Sequence, residues 1–328
     1  MFAPRMSVVM PVFNVEDYIA EAIRSVLGQS FKDFELIVVD DGGNDSSMEI
    51  ARSFDDPRIR IISQANRGLA GARNTGIAFA RAPYIALLDS DDRWHEDKLL
   101  LHYVHLQANP GVGVSYSGSR LVDEHGEVMK VAMRPKLTGV DAADVLCRNP
   151  VGNGSAPVLR KDALDRAAFH HPAEPGRICW FDENFRQSED IELWVRLAGM
   201  HDVRFEGING LLTDYRIIGG ALSANVVKQY LSWTRMLDIA AANTPDLVAR
   251  HGDRARAYQL RYLARRSVQL GNAELAKDFF DRALRSKIRI VFEEPVKSAM
   301  TYCAIMLANI AGPANFQRIA RPFLKAAA

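Results

Sequence analysis

Three carboxylates, Asp89, Asp91 and Asp92, fall within four positions at the end of the apolar run Tyr84–Leu88. Crowded carboxylates repel, which raises the pKa of at least one unless a cation neutralises them. Hard oxygen ligands suit Mg²⁺ or Mn²⁺, which commonly sit between one or two protein carboxylates and a substrate phosphate. Helix capping is the competing reading. Asp91 or Asp92 would cap a helix starting near Arg93, with Glu96 and Asp97 in its first turn. A second acid pair, Asp40–Asp41, ends the apolar run that starts at Phe34. A third, Glu189–Asp190, opens an amphipathic run. No Gly-x-Gly-x-x-Gly and no Walker lysine loop follows any apolar run, which argues against a dinucleotide dehydrogenase and a P-loop NTPase. A bound diphosphate would have to be held by a metal and side chains.

The elements that must position these acids alternate in type. Strands are expected over 7–13, 34–41, 58–64, 84–89 and 111–122. Helices are expected over 16–29, 45–54 with Asp45 as N-cap, 68–80 and 96–109. On the 16–29 helix, Ile19, Ala22, Ile23, Val26 and Leu27 share one face. Apolar strands alternating with helices imply an α/β fold with a mostly parallel sheet covered by helices on both faces. Ligands in such sheets bind outside the carboxyl ends of the strands. The acids of 40–41 and 89–91 should therefore project into one crevice. Residues 123–225 are less regular, apart from a helix over 188–200 carrying Ile191, Trp194, Val195 and Ala198 on one face. From 226 the pattern is helical, with a hairpin over 262–286 turning near Gly271–Asn272.

Charge is unevenly spread in a chain of 328 residues with formal net charge +1. Residues 251–328 hold 14 Lys/Arg against 6 Asp/Glu, so the first 250 carry a net charge of about −7. The basic end suits an anionic surface or is a solvated helical face. The stretch 298–317 holds no charged residue, and Gly312–Pro313 breaks it. Its apolar part is too short to span a bilayer and reads as a buried core helix or an interfacial one. Cys147, Cys179 and Cys303 have no metal or redox spacing, which implies inert thiols in a reducing compartment. The N-terminal residues lack a signal-peptide layout, so a cytoplasmic location is expected.

The ordered series "VVMPVFNVEDYIAEAIRSVLGQSFKDFELIVVDDGGNDSS", "NRGLAGARNTGIAFARAPYIALLDSDD" and "SEDIELWVRLA" resembles the inverting glycosyltransferases of family 2 over roughly residues 6–225. The resemblance implies a GT-A fold of three parts. Residues 1–122 would form the nucleotide-sugar half, 123–225 the acceptor half with the base, and 226–328 a helical appendage. It implies transfer of a sugar from a nucleotide diphosphate, with UDP the expected nucleotide, to a saccharide or lipid-linked saccharide in cell-surface polysaccharide synthesis. No nucleic acid is expected as partner. Residue by residue, it places Pro11, Phe13 and Glu16 at the base pocket and Asp41 on the nucleobase. It puts Arg73 in the nucleotide site and Asp89 near the ribose. Asp91 becomes a ligand to Mn²⁺ or Mg²⁺, Asp190 the catalytic base, and Arg216 a group facing the diphosphate.

Plainer roles exist for each. Phe13 could be core, Asp41 could begin the turn at Gly42–Gly43, and Arg73 could be a surface helix residue. Glu189 and Asp190 could complement the helix dipole after an N-cap Ser188. The sequence departs from the family pattern in "YRIIGGALS", which keeps Tyr215, Arg216 and Ser223 but has Ile218 where many members have histidine. Gly219–Gly220 in that loop suggests a lid over the donor. Rival functions are a sugar-phosphate nucleotidyltransferase and a catalytically degenerate scaffold subunit. The net expectation for location is cytoplasmic, peripheral at the inner face of the cytoplasmic membrane, with residues 251–328 docking there.

Overall fold

The first strand, β1 (Met6–Val12), is buried at every position. In this computed structural model, which describes residues 3–218 and 225–311, it lies between two parallel neighbours, β2 (Phe34–Asp40) and β4 (Tyr84–Leu87). Continuous apolar runs make such strands because both of their faces are covered. Pro11 sits beyond the last residue paired with β4, so its missing N–H opens no gap in that ladder. Between these strands come α1 (Ile19–Leu27), α2 (Ser47–Arg52), β3 (Ile59–Ser63) and α3 (Gly68–Phe79). The helix expected at 45–54 is shorter, and its N-cap is Ser46. Asp45 instead accepts the Ser47 N–H at 3.0 Å and the Glu16 N–H at 2.8 Å.

After β4 the chain forms β5 (Arg93–Trp94) and only then α4 (Lys98–Ala108). No helix begins near Arg93, so Asp91 and Asp92 are not its caps. The long β6 (Val112–Val122) and β7 (Val128–Met133) follow, then α5 (Ala142–Arg148), β8 (Val158–Arg160) and α6 (Lys161–Asp165). A two-stranded ribbon of β9 (Phe169–His171) and β10 (Glu174–Cys179) precedes α7 (Glu189–Met200) and β11 (Arg204–Arg216). The stretch 123–225 is thus more regular than its Gly- and Asn-rich sequence suggests.

The main sheet runs β3-β2-β1-β4-β8-β6-β11-β5, with β7 on the side of β6. Strands β1 to β4, β6 and β11 share one direction, because the antiparallel β8 reverses twice between β4 and β6. The fold is the mixed, mostly parallel α/β sheet of the expectation, with β8 inserted into it.

Alternation along β1 sends Val8 and Met10 to one face, against Ile23, Val26, Leu99 and Leu106 of α1 and α4. Val9 goes to the other face, against Ile77 of α3 and, further on, Leu193 and Trp194 of α7. The helices α8 (Val226–Asn243), α9 (Pro245–Gln269), α10 (Ala273–Ser286), α11 (Ile290–Glu293) and α12 (Pro295–Ala311) join this second core through Trp233, Leu260, Phe279 and Ile305. The helical end is therefore packed on the sheet domain through a shared apolar core. The hairpin turn holds as expected. Gly271 has φ +79°, a conformation glycine adopts without strain, and Asn272 caps α10 by accepting the Leu275 N–H.

The uncharged stretch is not a core helix over its described part. Ile305 and Ala308 are buried, but Met300, Tyr302, Leu307 and Ile310 are more than half exposed. Gly312–Pro313 and the basic residues Arg318, Arg321 and Lys325 lie outside the described residues.

Candidate active site

The acids after β4 are gathered by the loop before β8. Ser155 accepts the Asp89 N–H at 2.9 Å and donates its hydroxyl to Asp92 at 2.6 Å. The other Asp92 oxygen accepts the Arg216 N–H at 2.8 Å. Asp92 is thus an inward structural acid tying the β4 end to the end of β11. Burial, then Asp91 and Asp89, push its pKa well up. Asp91 keeps its carboxylate free of any side-chain hydrogen bond among the described residues. Burial, with Asp89 second, pushes it to about 6.

Arg73 joins this cluster to the start of α7. It is 1% exposed, and its guanidinium donates to Asp89 at 2.6 Å and to Glu189 at 2.7 Å. Phe181 lies beneath it, 5.4 Å from ring centroid to guanidinium carbon. Burial alone would lower its pKa, but Asp89, Glu189 and Asp190 raise it on balance. Arg73 is no surface helix residue. It is a buried bridge that neutralises one acid from each cluster. Gly154 permits it, since a Cβ there would collide with the guanidinium and stand 2.8 Å from Asp89 Oδ2.

Asp190 follows Glu189 in the first turn of α7 and accepts the Ile191 N–H at 2.8 Å. Burial, with Glu189 second, raises its pKa to about 7, a value suited to accepting a proton near neutral pH. Ser188 does precede the helix, at φ +62°, but makes no side-chain cap bond. Asp89 raises both Asp91 and Asp190, and Arg73 bonds both Asp89 and Glu189, so the two clusters lie side by side.

Around the ends of β1 and β2, Phe13 is 49% exposed and so is not core. Glu16 accepts the Ser46 N–H at 2.8 Å. Asp41 is 2% exposed and accepts from Gln64 (2.6 Å) and from the N–H groups of Arg67 and Gly68 (2.9 Å each). It anchors the start of α3 where Gly68 takes φ +76°. A nucleobase beside it would meet a carboxylate already holding three donors.

Arg216, expected to face a diphosphate, is engaged by protein groups. It is 4% exposed. Its Nε donates to the Asp91 carbonyl at 2.7 Å, its Nη1 to the carbonyls of Asp123 and Glu124, and its Nη2 to Glu21. The side chain braces the backbone that carries Asp91. Ile218, at the histidine position, is half-buried, while Gly219–Gly220 and Ser223 lie outside the described residues.

Among the described residues no group of three or more His, Cys, Asp or Glu side chains is set to hold a metal. Asp91 and the second oxygen of Asp89 are what the crevice offers a cation. That partial shell suits an ion that keeps waters or phosphate oxygens as its other ligands. The raised pKa of Asp91 fits it as well, since a cation would relieve the repulsion from Asp89. Sequence reasoning missed Asp92, Ser155, Gly154, Glu21 and Glu189 as parts of this assembly. Asp92, beside Asp91, and Glu189, beside Asp190, left a legible signal.

Residues 7–162 match the family described as Glycosyl transferase family 2. The chain is 30% identical over 221 residues to an uncharacterized glycosyltransferase of Rickettsia conorii, an alignment covering 66% of this chain and 33% of that protein. The chain thus spans only about a third of that relative's length. It is 28% identical over 225 residues to the Escherichia coli UDP-Glc:alpha-D-GlcNAc-diphosphoundecaprenol beta-1,3-glucosyltransferase WfgD, covering 68% of this chain and 81% of WfgD. In three dimensions it resembles S. aureus TarS 1–349 in complex with UDP-GlcNAc, with TM-score 0.60 and 16% identity, covering 98% of this chain and 92% of that one. With strand-end acids, a bridging arginine and an α7 acid brought together, the chain resembles the family 2 glycosyltransferases over residues 7–162 and has the GT-A fold.

Proposed function

We propose that the crevice transfers a sugar, with inversion, from a nucleotide diphosphate (UDP the expected nucleotide) to an acceptor hydroxyl during cell-surface polysaccharide synthesis. The observation that carries this reading is the pair of unlike acids. Asp91 is a carboxylate with no side-chain donor, set among acids, and Asp190 is held near pKa 7 on the far side of the Arg73 bridge.

Phe13 offers an exposed ring for a nucleobase to stack on. Pro11 and Glu16 hold the loop that presents it, and Asp41 fixes the neighbouring start of α3. Asp89 keeps one oxygen on Arg73 and has the other beside Gly154. Mn²⁺ or Mg²⁺ held by Asp91 beside Asp89 would act there as a Lewis acid that neutralises the leaving diphosphate. Asp190 takes the proton of the attacking hydroxyl. Glu189 remains paired with Arg73, which keeps the two neighbouring acids distinct in role. Attack from the Asp190 side, opposite the leaving group, inverts the anomeric carbon.

Asp91→Asn tests the metal assignment. Calorimetry with UDP, with and without Mn²⁺, should show metal-dependent affinity in the wild type and little metal dependence in the variant. Equal metal dependence in both would remove Asp91 as a ligand.

The apolar side of α11 and α12 supports docking of the helical end on an anionic membrane, where lipid-linked acceptors reside. Phe292, Val296 and Ile310 are 78%, 69% and 79% exposed, a larger apolar display than isolated surface residues need. No described helix is long and apolar enough to cross a membrane. Flotation with anionic liposomes should succeed at low salt and fade as salt rises, because exposed charges are screened beyond roughly 10 Å at 0.1 M. Equal recovery with neutral and anionic lipid at low salt would contradict it.

A further inference from the structure

A cavity of about 310 Å³ opens between α5, α8, α9 and the start of α12. Ile191, the residue after Asp190, lines it, so it adjoins the α7 acid. Tyr262 lines it too, and lies within electrostatic reach of Tyr215, which also feels Asp92, Asp91 and Asp89. The cavity therefore lies beside the residues that carry the acids.

Its charge is one-sided. Arg148, Arg261, Arg265 and Lys297 line it against a single acid, Glu294. Three of these cations already share that acid. Arg148 reaches it at 2.5 Å, Lys297 at 2.7 Å, and Arg261 also bonds it. Arg265 has no ion pair among the described residues, and its buried Nε has no hydrogen-bond partner. Burial, and then Arg261, disfavour its charge. Gln229 lines the same cavity with a buried Oε1 that likewise has no partner. A buried Nε and a buried amide oxygen left unpaired are costly unless something else binds them. Trp233 and Tyr258 line the cavity as well.

We infer that this cavity binds the acceptor, and that the acceptor is a saccharide carrying a phosphate ester or diphosphate. Arg265 donates to the phosphate, whose oxygens match a guanidinium fork. Gln229 accepts from a sugar hydroxyl, and the sugar lies against Trp233 and Tyr258. The inference rests on the glycosyl-transfer reading. The same phosphate chemistry comes from a lipid carrier or from a soluble or polymeric sugar phosphate.

The test is calorimetry on the full chain saturated with UDP and Mn²⁺, so that the donor crevice is occupied. The probes are N-acetylglucosamine 1-phosphate, its neutral methyl glycoside, and farnesyl-diphosphate-linked N-acetylglucosamine. The phosphorylated probe should bind about 10- to 100-fold tighter than the neutral one, the scale of a charge-assisted hydrogen bond. Arg265→Gln should abolish that preference and leave UDP affinity unchanged, while Arg265→Lys should keep part of it. Tighter binding of the farnesyl probe identifies a lipid carrier, and equal binding of the two phosphorylated probes a soluble source. Equal binding of charged and neutral sugars, binding of neither, or a preference that survives in folded Arg265→Gln overturns the inference. If that variant does not fold, the wild-type contrast between probes decides. Failure of the wild type to bind UDP would count against the donor reading alone, since an Arg265-dependent phosphate preference would persist.

Discussion

Asp190→Asn is expected to lower sugar transfer by about 10²- to 10⁴-fold, the usual worth of a positioned base. Donor affinity should stay near wild type, because the base faces the acceptor hydroxyl and not the diphosphate. The substitution is nearly isosteric, so it preserves the start of α7. Its effect on stability has a definite sign. The folded pKa of Asp190 is raised from 3.8 to about 7. The native state therefore holds a proton that the unfolded state has lost between those values, and stability falls as pH rises through that window. The neutral amide escapes this loss, so the variant should melt no lower than wild type at pH 8. In the wild type, turnover should rise as pH passes 7, where the base sheds its proton, and the variant should lack that limb. A helix-dipole acid would behave in the opposite way, with turnover intact and stability reduced by at most about 1 kcal/mol. Melting temperature, UDP affinity and turnover on one preparation separate the two, and normal turnover would reopen the scaffold reading.

Arg73→Met carries the second large effect. Arg73 is fully buried between Asp89 and Glu189. Removing it leaves two largely buried carboxylates without their cation, which costs about 3–5 kcal/mol for a broken buried ion pair. Denaturant titration should show that loss, or the chain should not accumulate folded. Arg73 also lowers the pKa of both Asp91 and Asp190. Its removal should shift the pH dependence of any surviving turnover upward. Arg73→Lys keeps the charge but has no fork to reach both acids, so it should fall between wild type and Arg73→Met. A loss below about 1 kcal/mol would mean that the bridge is solvated and exposed like a surface pair.

The sequence made the parallel half of the fold legible because β1, β2 and β4 are covered on both faces and read as unbroken apolar runs. β11 was not legible. Its "RFEGINGLLTDYR" mixes glycine and charge, and it belongs in the sheet because its backbone pairs with β6 through a ladder with register shifts. β8 is three residues long and gains its place only by lying between β4 and β6. At the site, Asp89, Asp91 and Asp190 stood out because acids after a buried strand or at a helix start are conspicuous in one dimension. Arg73 and Arg216 were noticed by position in a motif, yet their contacts could not be read. Arg73 bridges to a residue 116 positions away and Arg216 to one 195 positions away. Ser155 and Gly154 carry no signal at all in one dimension. They matter because one hydroxyl bonds both ends of the acid loop and one missing Cβ admits a guanidinium.

The central claim is that this crevice cleaves a nucleotide-diphosphate sugar with inversion. Proton NMR of a panel of α-linked UDP-sugars incubated with the wild-type chain and Mn²⁺, water serving as acceptor, tests it directly. The account predicts release of UDP from at least one donor with the free sugar appearing first as the β anomer, and no such release by Asp190→Asn on the same timescale. First appearance of the α anomer, or equal release by the variant, would contradict it.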